Sequence, residues 1–385
     1  MGRIDVWDLK ERRRVRALRG HQSMINAVAF APDGRLASCS SDYTIKFWDP
    51  AADQELTRLA KRSVGQAENA VFGPNGSLLA FSQPNTKILF FGPIRTITVV
   101  DADVGRIVRT LAGHQRGTVR LAFSHDGTRL ASGGRLGDVK VWDTSSWGEV
   151  GAFSGHDGEI TALALSPDGR WGASAHEPKE ITQIRIKRRI VAGAKSVPVA
   201  LKVWDAKAGS ERFTLAGHFM EIDRVAFSPD GQLLASAAYK LVKIWDMETG
   251  SLLRELTSEF QSGMIEVLMF SPDGTLLVTA GSGSVQVWDV ASGRSVVALQ
   301  GHGRGRLVVA FSPDGARLAT STGGEVKLWE VRTGQEILTL SLSPLSDTER
   351  PAVVALAWSS DGERLRAALR DGSVVEWDGT ARARE

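Results

Sequence analysis

The sequence contains a single cysteine, Cys39, among 385 residues. A lone cysteine excludes an internal disulfide framework and any zinc site that requires paired cysteines. No apolar run is long enough to cross a bilayer as a helix, and the N-terminal stretch MGRIDVWDLKERRR has no apolar segment behind its charges. We therefore expect neither a membrane anchor nor a secretory signal, and we predict a protein of the reducing cytoplasm.

Strong charge of one sign is also lacking, since the net charge is +3. Residues 1–20 and 177–200 each carry a balance of +4, which leaves the rest of the chain at −5. Two basic segments on a mildly acidic body do not make the uniformly basic face of a nucleic-acid-binding domain. Nucleic acid is therefore not an expected partner.

The motifs that usually mark an enzyme are absent as well. The sequence has no Gly-rich phosphate loop ending in Gly-Lys-Ser/Thr and no HExxH motif. It has no paired cysteines spaced to bind a metal. We expect no cofactor, no metal and no catalytic residues, although an enzyme with a site in a central channel is kept as the least favoured alternative.

Internal repetition is the dominant feature that the sequence does contain. A turn motif related to Ser-Pro-Asp-Gly occurs at 31–34, 73–76, 124–127, 166–169, 228–231, 271–274, 312–315 and 359–362. The glycines are about 42 residues apart, with longer intervals of 51 and 62 after the second and fourth motifs. Such a period predicts stacked structural repeats in which each unit buries its apolar face against its neighbours.

Each repeat also carries further marks. A Trp-Asp or Trp-Glu pair follows seven of the eight turns, beginning at Trp48, Trp142, Trp204, Trp245, Trp288, Trp329 and Trp377. The second repeat has Val100-Asp101 in that place, and five units are preceded by Gly-His. On these residues the sequence resembles the WD40-repeat family over essentially its whole length. High alanine, glycine and arginine usage favours a bacterial-type member from a GC-rich genome.

The resemblance implies an all-β WD40 β-propeller, expected here as one domain over 1–385 with eight four-stranded blades. The strands of a blade are named a to d from the centre outward. Residues 13–20 are predicted to be a d-strand that pairs with the C-terminal strands, so that 1–20 and 346–379 form a composite closing blade. Residues 3–8 then give a surplus c-strand, which favours either a strand outside the ring or a chain cut from a longer protein. A seven-bladed ring is the alternative.

The resemblance also implies a hydrogen-bond network of His, Ser or Thr, Asp and Trp within each blade. The first unit matches throughout, with His21, Ser38, Asp42 and Trp48. In four other units the position of the turn Asp is held by Leu136, Tyr239, Ser282 and Gly323. We interpret the network as structural, because it satisfies polar groups where the blade is buried, and not as a Ser-His-Asp catalytic triad.

Two insertions, 82–96 and 177–199, lengthen connections between strands b and c. In this fold the b–c and d–a connections lie on the same face of the propeller, which is called the top face. The second insertion has the alternation ITQIRIKRRIV, and we predict either a basic ribbon that binds an acidic partner or a solvated hairpin over one propeller edge. Tentative partner-binding residues on this face are Arg185, Lys187, Arg188, Arg189, Arg116, Arg120, Arg304, Arg306, Glu221 and Asp223.

These observations favour a non-catalytic scaffold, expected to be a monomer, that binds other proteins or peptides on the top face. The alternative is a docking or sensory part of a larger signalling protein, such as a kinase with WD repeats. The residues do not identify the partner.

Overall fold

The repeated runs of β-branched and aromatic residues form short strands joined by tight turns. The structure, a computed structural model, describes residues 2–8, 13–21, 25–30, 36–40, 44–49, 54–59, 68–74, 78–82, 95–101, 106–115, 117–177, 199–260, 264–302, 307–323, 325–341, 353–358, 361–369 and 374–378. Over these residues the chain is all-β.

The sheets follow the chain in order, and every pairing within them is antiparallel between consecutive strands. An N-terminal hairpin contains β1 (Gly2–Asp8) and β2 (Arg13–His21). Blade 1 contains β3 (Ile25–Phe30), β4 (Leu36–Ser40), β5 (Ile45–Asp49) and β6 (Gln54–Leu59). Blade 2 contains β7 (Glu68–Phe72), β8 (Leu78–Ser82), β9 (Arg95–Asp101) and β10 (Arg106–His114). Blade 3 contains β11 (Thr118–Phe123), β12 (Arg129–Gly134), β13 (Val139–Asp143) and β14 (Glu149–Phe153). Blade 4 contains β15 (Ile160–Leu165), β16 (Trp171–His176), β17 (Val199–Asp205) and β18 (Glu211–His218).

The second half repeats the arrangement. Blade 5 contains β19 (Arg224–Phe227), β20 (Leu233–Ala238), β21 (Leu241–Asp246) and β22 (Leu252–Thr257). Blade 6 contains β23 (Val267–Phe270), β24 (Leu276–Gly281), β25 (Ser284–Asp289) and β26 (Ser295–Leu299). Blade 7 contains β27 (Leu307–Phe311), β28 (Arg317–Thr322), β29 (Glu325–Glu330) and β30 (Glu336–Ser341). The C-terminal sheet contains β31 (Val353–Trp358), β32 (Arg364–Leu369) and β33 (Val374–Asp378).

The Ser-Pro-Asp-Gly motif makes the turn between strands a and b. In blade 5, Ser228 Oγ donates to Asp230 Oδ1 at 2.5 Å, and the same carboxylate oxygen accepts from Gln232 N at 3.0 Å. Gly231 has a φ of 72°, which a residue without a Cβ adopts at little cost. The motif thus acts through its own side chains, as its sequence predicts.

The apolar core lies between blades. One cluster joins Leu201 and Val203 of blade 4 to Leu234 and Trp245 of blade 5, all of them buried. Equivalent clusters join blades 2 and 3, 3 and 4, 5 and 6, and 6 and 7, and another joins blade 7 to the C-terminal sheet. Because blades 3 to 7 each bury both faces against their neighbours, none of these five is an independent folding unit.

The N-terminal segment differs from the expectation in one respect. Residues 13–20 do form a strand, but β2 pairs with β1, in a register that places Ile4 opposite Leu18, and not with the C-terminal sheet. The strand that lies beside β33 is β1, which the sequence suggested was surplus. The hairpin itself has a local physical reason, since two strands with a short connection pair at little entropic cost, and the hairpin then brings β1 rather than β2 beside β33.

Candidate functional site

The b–c and d–a connections lie together on one face, called the top face below. In blade 3, Arg135 N of the b–c turn donates to Gly117 O of the preceding d–a loop at 3.1 Å. Between blades 5 and 6, Ile265 N of the d–a loop donates to Tyr239 O of the b–c turn at 3.0 Å. These loops therefore form one surface.

Beneath this surface, blade 3 contains a complete four-residue network. Trp142 Nε1 donates to Ser132 Oγ at 3.0 Å, and Ser132 Oγ lies 2.7 Å from His114 Nε2. His114 Nδ1 lies 2.6 Å from Asp138 Oδ2, so this nitrogen donates and Nε2 accepts from the serine. Burial is the largest single effect on Asp138 and opposes its ionisation. The hydrogen bond from His114, together with the electrostatic interactions with His114 and Lys140, outweighs it, and the pKa of this carboxyl lies below its usual value.

This network corrects the position that the sequence suggested for the acidic residue. Leu136 was taken to hold the place of the turn Asp, yet its side chain is exposed, and Asp138 two residues later makes the bond. The β12–β13 turn determines which residue points back toward His114. Asp138 is the sole carboxylate between those strands, which is the signal that could have identified it.

Blade 4 replaces the carboxylate with a second histidine. Trp204 Nε1 donates to Ser174 Oγ at 2.9 Å, and Ser174 Oγ lies 2.7 Å from His156 Nε2. His156 Nδ1 lies 2.8 Å from His176 Nδ1, and His176 Nε2 lies 3.0 Å from Asp157 Oδ1. Burial, and then the neighbouring His176, lower the pKa of His156 to about 3, so His156 is neutral.

Blades 5 and 7 keep the inner part of the network. His218 Nε2 lies 2.8 Å from Ser236 Oγ, which accepts from Trp245 Nε1 at 2.9 Å. His302 Nε2 lies 2.7 Å from Thr320 Oγ1 in the same arrangement. Burial first, and the nearby Lys243 or Lys327 second, lower the pKa of each histidine to about 4.

These hydroxyl groups serve the fold. Each of the four is fully buried and hydrogen-bonded to the adjacent tryptophan and histidine, so a substrate could not reach it. They are Ser132, Ser174, Ser236 and Thr320. In blade 1, the buried Ser38 is described, whereas Asp42 and the side chains of His21 and Trp48 lie outside the described residues. The predicted blade 1 network stays a prediction.

Along the inner strands, Arg120 contributes to a chain of hydrogen bonds that crosses from blade to blade. Arg120 Nε donates to Thr161 O at 2.8 Å, and Thr161 Oγ1 donates to Ile222 O at 2.7 Å. Arg224 Nε donates to Glu266 O at 2.7 Å, and Glu266 Oε2 accepts from Leu307 N at 3.2 Å. These bonds tie blades 3 to 7 together at their inner strands.

The other tentative docking residues are distributed unevenly. Glu221 and Asp223 are half-buried in the d–a loop before β19. Outside the described residues lie Arg116, Arg304, Arg306, Arg185, Lys187, Arg188 and Arg189, together with nearly all of both insertions.

Large apolar side chains are exposed in two kinds of place. One group lies on outer d-strands, including Leu252, Leu253, Ile337 and Leu338. The second group lies in top-face loops and contains Leu136, Phe219, Met220, Tyr239 and Met264. The sequence marks Leu136 and Tyr239 only as replacements of the turn Asp, and it gives no signal for the other three, because loop residues follow no strand period.

The described part of the chain shows neither a cluster of metal-binding side chains nor a membrane-spanning helix. No group of three or more His, Cys, Asp or Glu side chains there could hold a metal ion. No helix long and apolar enough to span a membrane occurs there.

Comparisons with known proteins agree with this architecture. Residues 63–290, more than half of the chain, match the family model described as Nucleolar protein 10-like, N-terminal domain. Residues 12–49 and 293–330 match the model of the WD domain, G-beta repeat.

Similar proteins include curated relatives and a solved structure. Nuclear distribution protein PAC1 of Arthroderma otae is 33% identical over 114 residues, which are 29% of this chain and 24% of that protein. WD repeat and SOCS box-containing protein 1 of Mus musculus is 31% identical over 80 residues, or 20% of this chain and 19% of that protein. The chain thus matches only about a quarter or less of their length. The crystal structure of the computationally designed Ika8 protein has a TM-score of 0.71 at 27% identity, covering 94% of this chain and 98% of that one.

Proposed function

We propose that this chain, which belongs to the WD40-repeat β-propeller family, is a protein-interaction scaffold that binds partner proteins or peptides on its top face. WD40 propellers are generally non-enzymatic scaffolds. The observation that carries the proposal is the exposed apolar group in the top-face loops, Leu136, Phe219, Met220, Tyr239 and Met264. Apolar side chains grouped in exposed loops mark an interaction surface, because burying them against a partner removes them from water.

We propose further that the propeller has eight blades, with the C-terminal sheet as the inner part of the eighth. Two observations support this count. Each inner strand lies beside the inner strand of the next sheet, and the last of them, β31, also lies beside the first, β3. The inner strands are β3, β7, β11, β15, β19, β23, β27 and β31. The N-terminal strand β1 lies beside β33, where it can complete the last blade.

Removal of residues 1–21 tests this closure. Without the hairpin, the outer edge of the C-terminal sheet is exposed, and the urea midpoint of unfolding should fall by several tenths molar or more, as expected for a loss of about 2–4 kcal/mol. Removal of residues 379–385, which follow β33, is the matched control and should leave the midpoint unchanged. Equal midpoints for both truncations would refute the closing role of the hairpin.

Photo-crosslinking in cells tests the top-face assignment. A photoreactive phenylalanine analogue is placed at Leu136 or Met220 on the top face, or at Gln232, an exposed residue of the a–b turn of blade 5. Crosslinked partner proteins are expected from the top positions and not from position 232. Crosslinks of equal yield from both faces, or from position 232 alone, would contradict the proposal.

The basic segment of the second insertion is proposed to contribute to the same surface by binding an acidic partner. Charge reversal at Arg185, Lys187, Arg188 and Arg189 should weaken capture of the crosslinked partner without lowering the unfolding midpoint. Unchanged capture would leave the segment as a solvated hairpin. We propose a cytoplasmic monomer as the functional form, supported by the single cysteine.

A further inference from the structure

The outer strand of blade 6 differs from the other outer strands in its charge. This strand, β26, has the sequence Ser-Val-Val-Ala-Leu and contains no Asp, Glu, Lys or Arg; the nearest charged residue before it is Arg294, in the preceding turn. Each of the other six outer strands of blades 1 to 7 contains at least one charged residue. They are β6, β10, β14, β18, β22 and β30. Because charged side chains keep an edge strand from pairing with another molecule, β26 lacks a protection that its neighbours have.

The backbone of β26 is open on one side. It is the last strand of its sheet, and within the described residues it forms a ladder only with β25. Alternate N–H and C=O groups of such an edge strand point away from its neighbour and can pair with another strand. A β-bulge opposite Trp288 interrupts the register near Ser295, so Val297–Leu299 form the regular part of the open edge.

Small apolar side chains border this edge. Leu299 is buried, and Val297 packs so closely on blade 7 that a Cβ on Gly334 would lie 2.1 Å from Val297 Cγ2. Val296 is 40% exposed, and Ala298 is also exposed. A strand that paired with the open edge would therefore cover Val296 and Ala298 with its own side chains.

An ion pair that other blades place between their c- and d-strands is replaced in blade 6. In blade 7, Lys327 on the c-strand is bonded to Glu336 on the d-strand at 2.7 Å. Blades 3 and 4 contain the same pair, formed by Lys140 with Glu149 and by Lys202 with Glu211. In blade 6, Gln286 and Ser295 occupy these two register positions, and Gln286 Nε2 donates to Ser295 Oγ at 3.2 Å. The hydrogen bond between the strands is kept, and both charges are lost.

This replacement lowers the cost of covering the strand. The Glu336 side chain is 37% exposed, so a strand that covered β30 would remove water from an ion pair. Gln286 and Ser295 carry no charge and already bond to each other, so a strand beside β26 would meet a smaller desolvation cost. Exposed apolar area does not account for the difference, since Ile337 of β30 is 52% exposed and Val296 of β26 is 40% exposed. The absence of charge therefore singles out β26.

An extended segment of a partner protein fits this edge better than a second copy of the chain. β26 has five residues and is about 17 Å long. Two folded propellers that met edge to edge would touch over little more than this strand, whereas stable interfaces between folded proteins bury about 1,200–2,000 Å². An extended segment can instead follow the strand and pair with its backbone along its whole length.

We propose that β26 binds an extended, uncharged segment of a partner protein, which adds a fifth strand to blade 6. The segment pairs its backbone N–H and C=O groups with the open edge, and its small or β-branched side chains cover Val296 and Ala298. This site lies on the outer side of blade 6 and is separate from the top-face loops. It gives the chain a second binding surface beyond the one in the proposed function.

Peptide selection tests the inference. A library of random peptides displayed on phage is first depleted on the Val296→Lys variant, which places a charge at the edge, and is then selected on the unaltered full-length protein. Enriched peptides are synthesised and titrated by fluorescence anisotropy. We expect them to be uncharged, with small or β-branched residues at alternate positions.

Methylation of the peptide backbone distinguishes strand pairing from recognition of side chains. Each amide nitrogen of an enriched peptide is methylated in turn. Binding should weaken about tenfold or more at alternate positions and little at the positions between them, because only alternate amides of a bound strand face β26. Recognition of side chains alone would not give this period of two.

Two protein variants connect the binding to the missing charges. Gln286→Lys combined with Ser295→Glu recreates the blade 7 ion pair on blade 6. It should weaken the enriched peptides about tenfold while the urea transition stays cooperative. Ile337→Lys, at the position of β30 that corresponds to Val296 in register, is the matched control and should leave the affinity unchanged.

Several outcomes would overturn the inference. They are a selection from which no peptide survives the depletion step, methylation effects without a period of two, and unchanged affinity in the Gln286→Lys, Ser295→Glu variant. A concentration-dependent dimer that Val296→Lys abolishes would assign the edge to a second copy and would overturn it as well. The top-face crosslinks test the scaffold function independently of all these results.

Discussion

Asp138 shows how a single residue can complete a buried network from an unexpected position. It lies two residues after the position where the family pattern places its acid, and still approaches His114 Nδ1 to 2.6 Å. His114 is buried, so its N–H would otherwise lose water without gaining a partner. Asp138 therefore has a structural role, even though part of its side chain is exposed.

Asp138→Ala should lower the free energy of unfolding by about 1–3 kcal/mol, because it leaves the buried N–H of His114 unsatisfied. Leu136→Ala, at the position that the family pattern indicates, should change it by less than about 0.5 kcal/mol, since that side chain is exposed. Urea unfolding followed by tryptophan fluorescence measures both. A larger loss for Leu136→Ala would show that the network is assigned incorrectly.

At the scale of the element, the b–c turns differ in length, and this difference decides what each blade presents. Blade 3 has four residues between its strands and supplies its own carboxylate, whereas the two-residue turn of blade 5 displays Tyr239 instead. The shared strand pattern keeps both blades in the same register, with Leu130 opposite Trp142 and Leu234 opposite Trp245. This difference in turn length therefore lies in the top-face loops, where partners bind in the proposed function.

Tyr239→Gly should raise the free energy of unfolding by up to about 1 kcal/mol. Tyr239 has a φ of 55°, in the left-handed region. The left-handed conformation costs a residue with a Cβ about 1–2 kcal/mol, and glycine avoids this cost in the folded state. Part of the gain is cancelled because glycine gives the unfolded chain more conformational entropy. Tyr239→Ala keeps the Cβ and is the control, with an expected change within about 0.5 kcal/mol. A glycine variant less stable than the alanine variant, by thermal or urea unfolding, would exclude strain at this turn.

At the scale of the whole molecule, buried neutral histidines link the stability of several blades to pH. The pKa values of His156, His218 and His302 lie near 3, 4 and 4 in the folded protein, because burial disfavours the charged form. In the unfolded chain they return to about 6.5. Between these values the unfolded state binds more protons, so the free energy of unfolding must decrease as the pH falls.

We therefore expect urea midpoints to be constant above about pH 7 and to decrease from there to pH 5, where most carboxylates are still ionised. Each histidine adds a slope of at most about 1.4 kcal/mol per pH unit. His302→Gln should reduce the slope, and His125→Gln, which changes an exposed histidine in the a–b turn of blade 3, should not. A slope unaffected by His302→Gln would contradict this linkage.

The inner hydrogen bonds also act on the whole molecule, and they change the meaning of one predicted docking residue. The charge of Arg120 and its predicted place in a d–a loop indicate a partner-binding residue. Its guanidinium binds Thr161 O of the next blade, and Arg224 binds Glu266 O in the same way one blade after that. A basic side chain near the channel can therefore join blades, and charge alone does not distinguish this role from docking.

The sequence by itself determined the repeat, its turns and the family. Ser-Pro-Asp-Gly forms its turn through bonds within about five residues, as between Ser228, Asp230 and Gln232, and the strands follow from local patterning on either side. Only the tertiary structure decided which carboxylate completes a network, which serine a buried histidine contacts, and which arginine joins two blades. Those outcomes depend on contacts between distant residues: His114 and Asp138 are 24 positions apart, His218 and Ser236 are 18 apart, and Arg120 and Thr161 are 41 apart. Turn length and blade packing set the geometry of these contacts, and the local sequence pattern does not encode it.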